Sequence, residues 1–165
     1  MMKAYNNERG LTLIELVITL IIISVLALMV IPSAQLTSKR SKEIELRRQL
    51  RVVRTAIDDY KKAYDKSVDD KKIITSINKS SGYPETLQQL VEGKDFGDIS
   101  GIKKKYLRRI PVDPFNPKLK DGVPEWGLRS YVDKPDSTIW GGEDVYDIYS
   151  LSEETAIDGT KYKDW

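Results

Sequence analysis

The sequence predicts an α+β fold: a long N-terminal helix, with a membrane-spanning half and an amphipathic half, packed on a small antiparallel β-sheet. Three observations lead there. Leu11–Leu36 is a run of 26 residues whose only charged member is Glu15. Leu46, Leu50, Val53, Ile57, Tyr60 and Tyr64 then follow one another at intervals of 4, 3, 4, 3 and 4. Alternation of apolar and polar residues at Trp126–Val132 and again at Val145–Ser150 marks two strands near the other end of the chain.

As a helix the apolar run would be roughly 39 Å long, enough to cross a hydrocarbon core of ~30 Å with some tilt. A signal peptide has a shorter apolar core with its cut after it, so this run is too long for one. A plain anchor explains the length but not Glu15. A carboxylate at the centre of such a segment costs about 2.5–3.5 kcal/mol, and less near an end. Pro32 falls near the end of the run, where proline removes a helical hydrogen bond and kinks or loosens the helix; a helix end at the membrane surface is the simpler alternative. No Gly or Pro interrupts Ser33–Lys72, so helix is expected to about Lys66. The 4-3-4-3-4 stripe lies on one helical face, with Arg47, Arg48, Arg51, Arg54, Lys61 and Lys62 mostly off it. Under three heptads is short for a coiled coil, which favours a stem packed on the chain's own sheet.

Ser67–Ser81 reads as a polar loop, with Ile73-Ile74 a candidate short strand. Tyr83–Gly93 reads as a short helix: Pro84 suits a first turn, Leu87, Leu90 and Val91 share a face, and Gly93 is a natural stop. Lys94–Lys105 is a loop closed by three lysines. Pro111, Pro114 and Pro117 impose an extended, turn-rich path. Asp121-Gly122 and Gly141-Gly142 supply turns, and a weaker strand is expected near Thr138–Trp140. Strands this short cannot stand alone, and burying one face against the stem solves that.

Composition narrows the function. There is no cysteine and no histidine, which removes disulfides, thiolate or imidazole zinc sites, and Ser-His-Asp or Cys-His catalysis. Carboxylate or lysine chemistry would remain for an enzyme, but the acids are scattered through turns, so no enzyme is expected. Without residues 1–10 the chain carries 25 basic and 24 acidic residues, which argues against nucleic acid as a main partner. The distribution is uneven: ten basic and five acidic residues from Lys39 to Lys66, three basic and nine acidic from Asp133 to Trp165. A basic stem meeting the acidic end of a neighbouring copy would look like this, and so would two solvated faces. The basic run Lys103-Lys104-Lys105 with Arg108-Arg109 has few interleaved aromatics and reads as a solvated loop.

Arg9-Gly10-Leu11-Thr12-Leu13-Ile14-Glu15, leading straight into the apolar run, resembles the N-terminus of type IV prepilins and type II secretion pseudopilins. Leu11 stands where phenylalanine is commoner. Farther on, Tyr83-Pro84 before a short Leu-rich helix, Tyr106-Leu107 with Ile110-Pro111-Val112-Asp113-Pro114-Phe115, and Tyr146-Asp147-Ile148-Tyr149-Ser150-Leu151 together resemble the major, G-type pseudopilin of type II secretion. The resemblance implies a pilin-like fold with a leader at 1–10, a transmembrane and polymerisation helix at 11–36, and a periplasmic domain at 37–165. It implies cleavage between Gly10 and Leu11 by a prepilin peptidase and N-methylation of Leu11. Glu15 would neutralise the N-terminal amine of an adjacent subunit, and Pro32 would mark where the helix softens in the filament. In low dielectric an unpaired charge is disfavoured, so such a pair selects one register; a snorkelling or protonated acid is the alternative.

The implied function is a subunit stored in the bacterial inner membrane, spanning it once, and polymerised into a periplasmic pseudopilus that drives export. Its partners would be further copies of itself, the prepilin peptidase, the inner-membrane assembly platform, minor pseudopilins and membrane lipid. The resemblance also implies a calcium ion in the C-terminal loop, with the Leu151 carbonyl, Glu154 and Asp158 as ligands. The family's dense acidic run is missing there, and calcium wants six to eight oxygens, so a turn held by Asp158-Gly159 with an anchored Trp165 is an equal reading. Flanking charges oppose the implied topology: Lys39, Arg40 and Lys42 outnumber Lys3 and Arg9, which by itself would place the C-terminal part in the cytoplasm. The resemblance requires the reverse, because Gly10 must reach a peptidase at the cytoplasmic face. A type IV pilus subunit, or a membrane-anchored domain that forms no filament, are the alternatives.

Overall fold

The structure is a computed structural model that describes residues 10–70, 81–97 and 102–165, without the side chains of 28–34. The candidate strand at Ile73-Ile74 lies outside the described residues. Helix α1 runs from Leu13 to Asp69 and continues through Pro32, whose side chain is outside the description. Helix α2 is Gln88–Glu92, and among the described residues four short strands follow: β1 Leu119–Lys120, β2 Val123–Pro124, β3 Gly127–Arg129 and β4 Asp147–Tyr149. A 3-10 turn at Tyr162–Asp164 completes the order. The chain divides into two compact units after Arg40.

In the first unit the apolar residues of α1 from Leu13 to Leu26 are exposed all round, Leu13 at 83% and Ile23 at 61%. In the second unit the stripe does what its spacing predicts. Leu46, Leu50, Val53, Ile57 and Tyr60 are buried against Leu90, Phe96, Ile110, Val145, Ile148 and Tyr162. Each aliphatic side chain so buried contributes about 1.5–3 kcal/mol relative to exposure. Tyr60 also packs edge-on to Phe96 and Tyr106 and donates its hydroxyl to Gln89 Oε1 at 3.2 Å. Burial pushes the Tyr60 and Tyr106 hydroxyls up to about 12.

The sheet is two antiparallel pairs rather than one sheet. β1 and β2 form a hairpin, with Leu119 opposite Pro124. Its two-residue turn has positive φ at both Asp121 (52°) and Gly122 (78°), the left-handed pair a tight hairpin needs. β3 pairs with β4 in the register Gly127↔Tyr149, Leu128↔Ile148, Arg129↔Asp147. The Tyr149 ring lies over Gly127, where a Cβ would meet it at 2.3 Å. The Arg129 guanidinium also lies over this ring, 4.2 Å from its centroid.

Two expected elements change. The helix expected over Tyr83–Gly93 shrinks to α2, because the Pro84 carbonyl accepts the Val145 amide at 2.7 Å and Gly82 has φ 82°, which keep the entry extended. Gly93 does end α2, at φ 80°. Thr138–Trp140 is not a strand: Ser137 Oγ donates to the Ile139 carbonyl, and Trp140 Nε1 donates to the Asp144 carbonyl at 2.7 Å, folding the segment on itself. The proline segment is fastened at both ends. Trp126 Nε1 donates to the Pro111 carbonyl at 2.9 Å, and buried Asp113 accepts the Phe115 amide and the Ser150 hydroxyl.

Candidate functional site

The residues expected to govern processing and assembly sit at the start of α1. Gly10 is exposed, and a side chain added there would meet nothing within 4 Å among the described residues. Leu11 is exposed too. Thr12 is the residue before the first helical turn and Glu15 is its third residue, the positions of a reciprocal cap. The Glu15 amide donates to Thr12 Oγ1 at 3.3 Å, while the Thr12 amide and hydroxyl both donate to Glu15 Oε2 at 3.4 Å. The carboxylate also suits the positive end of the helix dipole. The only acid of the apolar run therefore has a local role, legible as Thr-x-x-Glu and not anticipated above.

Further along, Thr19 Oγ1 donates to the Leu16 carbonyl at 2.8 Å and Ser24 Oγ to the Leu20 carbonyl at 2.7 Å. These hydroxyls are satisfied inside their own helix, as a segment surrounded by apolar groups requires. A helix apolar all round belongs in a core or a membrane. Among the described residues no helix is long and apolar enough to cross a membrane; the expected span of residues 11–36 includes the undescribed side chains of 28–34.

The second candidate is the C-terminal loop. After β4, Thr155 and Lys161 pair as an isolated bridge, and the loop between them turns at Gly159 (φ 88°). Its tail is anchored by Tyr162, which is fully buried, stacked on Phe115 at 4.0 Å and edge-on to Trp165 at 5.0 Å. Three polar residues of α1 grip the loop from beside the apolar stripe. Glu43 Oε1 accepts the Ile157 amide at 2.8 Å and the Tyr162 hydroxyl at 2.9 Å. Burial, then this bond, push the Tyr162 hydroxyl up. Arg47 pairs with Asp158 at 3.3 Å and lies over the Trp165 ring. Arg54 donates to Asp147 Oδ1 at 2.7 Å, the Ile148 carbonyl at 3.0 Å and the Trp165 backbone oxygen at 2.9 Å. Arg129 reaches the same Asp147 from β3 at 3.4 Å.

The expected calcium ligands fare differently from one another. Leu151 is partly exposed and Glu154 is exposed, its carbonyl accepting the Tyr162 amide at 3.4 Å. Asp158 is engaged on both oxygens: Oδ1 accepts the Thr160 hydroxyl (2.6 Å) and amide (3.0 Å), and Oδ2 faces Arg47. The Thr160 hydroxyl first, then its amide and Arg47, hold the Asp158 carboxyl below the usual carboxylate range. Among the described residues no group of three or more carboxylates is gathered to hold a metal. As placed, this donor set does not fit a calcium ion, which needs several free oxygens. Of the basic run, Lys103, Lys105, Arg108 and Arg109 are exposed; Lys104 bridges to Lys94 through its backbone and lies over Tyr106.

Comparison with known proteins bears on the N-terminal segment directly. The family model described as "Prokaryotic N-terminal methylation motif" matches residues 5–31, which takes in Gly10, Leu11 and Glu15. The chain is also 27% identical over 119 residues to "Type II secretion system core protein G" of Escherichia coli (strain K12), covering 69% of this chain and 71% of that protein. Both similarities fall on the same side: a prokaryotic N-terminal methylation motif at the start of the chain and likeness to a type II secretion core protein along most of it. No solved structure matches it significantly. The pilin-like chain thus pairs an apolar helix start, whose hydroxyls are satisfied within the helix, with a second unit whose last residues are tied to the part of α1 that lies in that unit.

Proposed function

We propose that this chain is the major pseudopilin of a type II secretion system. A prepilin peptidase cuts it between Gly10 and Leu11 and Leu11 is methylated. Residues 11–36 anchor it in the inner membrane, with residues 37–165 in the periplasm. Copies then polymerise through their apolar helices into a short pseudopilus, helped by the assembly platform and minor pseudopilins, and the chain carries no catalytic step of its own.

The observation that supports this reading most is the first half of α1. Every large apolar side chain from Leu13 to Leu26 is exposed, the hydroxyls are satisfied within the helix, and the one charge is Glu15. Burying such a surface is strongly favourable, and only lipid or neighbouring helices can do it. Relocating a subunit from lipid to a helical filament exchanges one apolar surrounding for another, so the register must come from something polar, and Glu15 is available.

Glu15→Leu tests this in cells lacking the native copy. The expected outcome is normal processing with loss of filaments and of exported protein, because the variant stays in the membrane but lacks the register-setting charge. Filaments and export at the native level would overturn the reading. Surface pili with no export defect would assign the chain to a pilus instead.

A further inference from the structure

We propose that the C-terminal loop of this protein is closed by the guanidinium of Arg47 in place of a metal ion, so that residues 151–165 fold independently of calcium. This inference does not depend on the secretion role. It rests on a closed circuit of contacts. Arg47 Nη2 pairs with Asp158 Oδ2 at 3.3 Å. Asp158 Oδ1 accepts the Thr160 hydroxyl at 2.6 Å, and Thr160 Oγ1 accepts Trp165 Nε1 at 2.7 Å. The Trp165 ring then lies beneath the Arg47 guanidinium, 4.0 Å from its central carbon, within the range of a cation–π contact. A planar cation with several fixed donors suits this double duty, stacking on the ring while pointing at the carboxylate.

The carboxylate at the centre of the expected donor set is already occupied. Both Asp158 oxygens are engaged within the circuit. Glu43 of α1 gives one oxygen to the Ile157 amide and the Tyr162 hydroxyl together. Glu153 pairs with Lys163 at 3.7 Å. A calcium ion at Asp158 would also sit beside a permanent positive charge, which opposes its binding. Arg54 holds the far end of the loop through the Trp165 backbone oxygen, so the tail is tied to α1 at two places by charge already in the chain.

The test uses the full chain in detergent, followed by hydrogen exchange of peptides covering 151–165 and by thermal melting, in millimolar calcium chloride and in EGTA. The wild type is expected to show the same exchange and the same Tm in both. Arg47→Ala is expected to speed exchange in residues 156–165 about tenfold, since both the ion pair and the ring contact are lost, with little change over residues 83–97. Asp158→Asn removes only the charge and should give a smaller increase; Arg47→Lys, which keeps the charge but not the planar stack, should fall between wild type and Arg47→Ala. A wild-type Tm several degrees higher in calcium than in EGTA would overturn the proposal. So would exchange in Arg47→Ala and Asp158→Asn identical to that of the wild type.

Discussion

The two halves of α1 are built from similar apolar residues in the same backbone conformation, yet they end in opposite states. Leu20 is 55% exposed and Leu50 is 2% exposed. What separates them is periodicity. Around Leu20 apolar residues occupy every side of the helix, so no folding of one small domain covers them all. Around Leu50 they recur every three or four residues, and most of the intervening positions are polar or charged, so one face is covered by the chain's own loops and strands. The hydrophobic effect acts on both, but only the second half is satisfied by the chain alone. The first half states a requirement for a partner or a lipid phase.

Processing gives the largest expected effect. Gly10→Val puts a branched side chain where none of the described residues comes within 4 Å, so the structure should tolerate it. A peptidase reading glycine before the apolar run should not. The precursor is expected to persist, with mature chain starting at Leu11 reduced at least tenfold by intact mass, and equal amounts of mature product from wild type and variant would show that Gly10 has no such role.

The contrast between the halves can be measured by truncation. Leu50→Ala should cost about 2–5 kcal/mol in denaturant unfolding of the second unit, because the lost contacts leave a cavity among Leu46, Val53 and their neighbours. Leu20→Ala removes the same atoms from an exposed site and should alter that transition by less than about 0.5 kcal/mol. Comparable losses from both would mean that the first half is packed by the chain after all.

Acid provides the smallest and most local effect. The Ser130 and Gly141 amides hold Asp133 below its ordinary range, as Thr160 and Arg47 hold Asp158. A carboxyl with a depressed folded pKa contributes stability that is full above its unfolded value of about 3.9 and is lost as pH falls through the folded value. Tm should therefore decline below about pH 4, and the Asp133→Asn/Asp158→Asn double variant should decline less steeply. Parallel pH profiles would separate these acids from acid stability.

Legibility in the sequence followed the range of the interactions. The stem was readable because Leu46 through Tyr60 carry their own period, and the turn at Asp121-Gly122 because these residues tolerate left-handed backbone, whereas the two-residue strands β1 and β2 on either side of it carry no alternation long enough to read. The β3–β4 pair was placed correctly but overextended, since alternation persists beyond the three residues that actually pair. Tyr83–Gly93 looked helical from its leucines, while the bond that straightens its start comes from Val145, about 60 residues on. The grip of Glu43 and Arg47 on the C-terminal loop was invisible for the same reason: its partners lie 111 to 119 residues away. In a linear reading these two look like any solvated charges flanking an apolar stripe. The Thr12–Glu15 cap was the opposite case, a local pattern overlooked because a distant role for the acid was expected.

That cap changes what a waiting subunit is. On the function proposed above, newly made copies must dwell in the bilayer before any filament takes them up, and a naked carboxylate there would favour expulsion or premature clustering. Thr12 gives the acid a modest occupation in the meantime. The bonds are long, 3.3 to 3.4 Å, so a neighbour's amine can displace them with little resistance. On that function, a hydroxyl one turn from the acid would let the cell keep a reservoir of single subunits that are comfortable alone and still easily recruited.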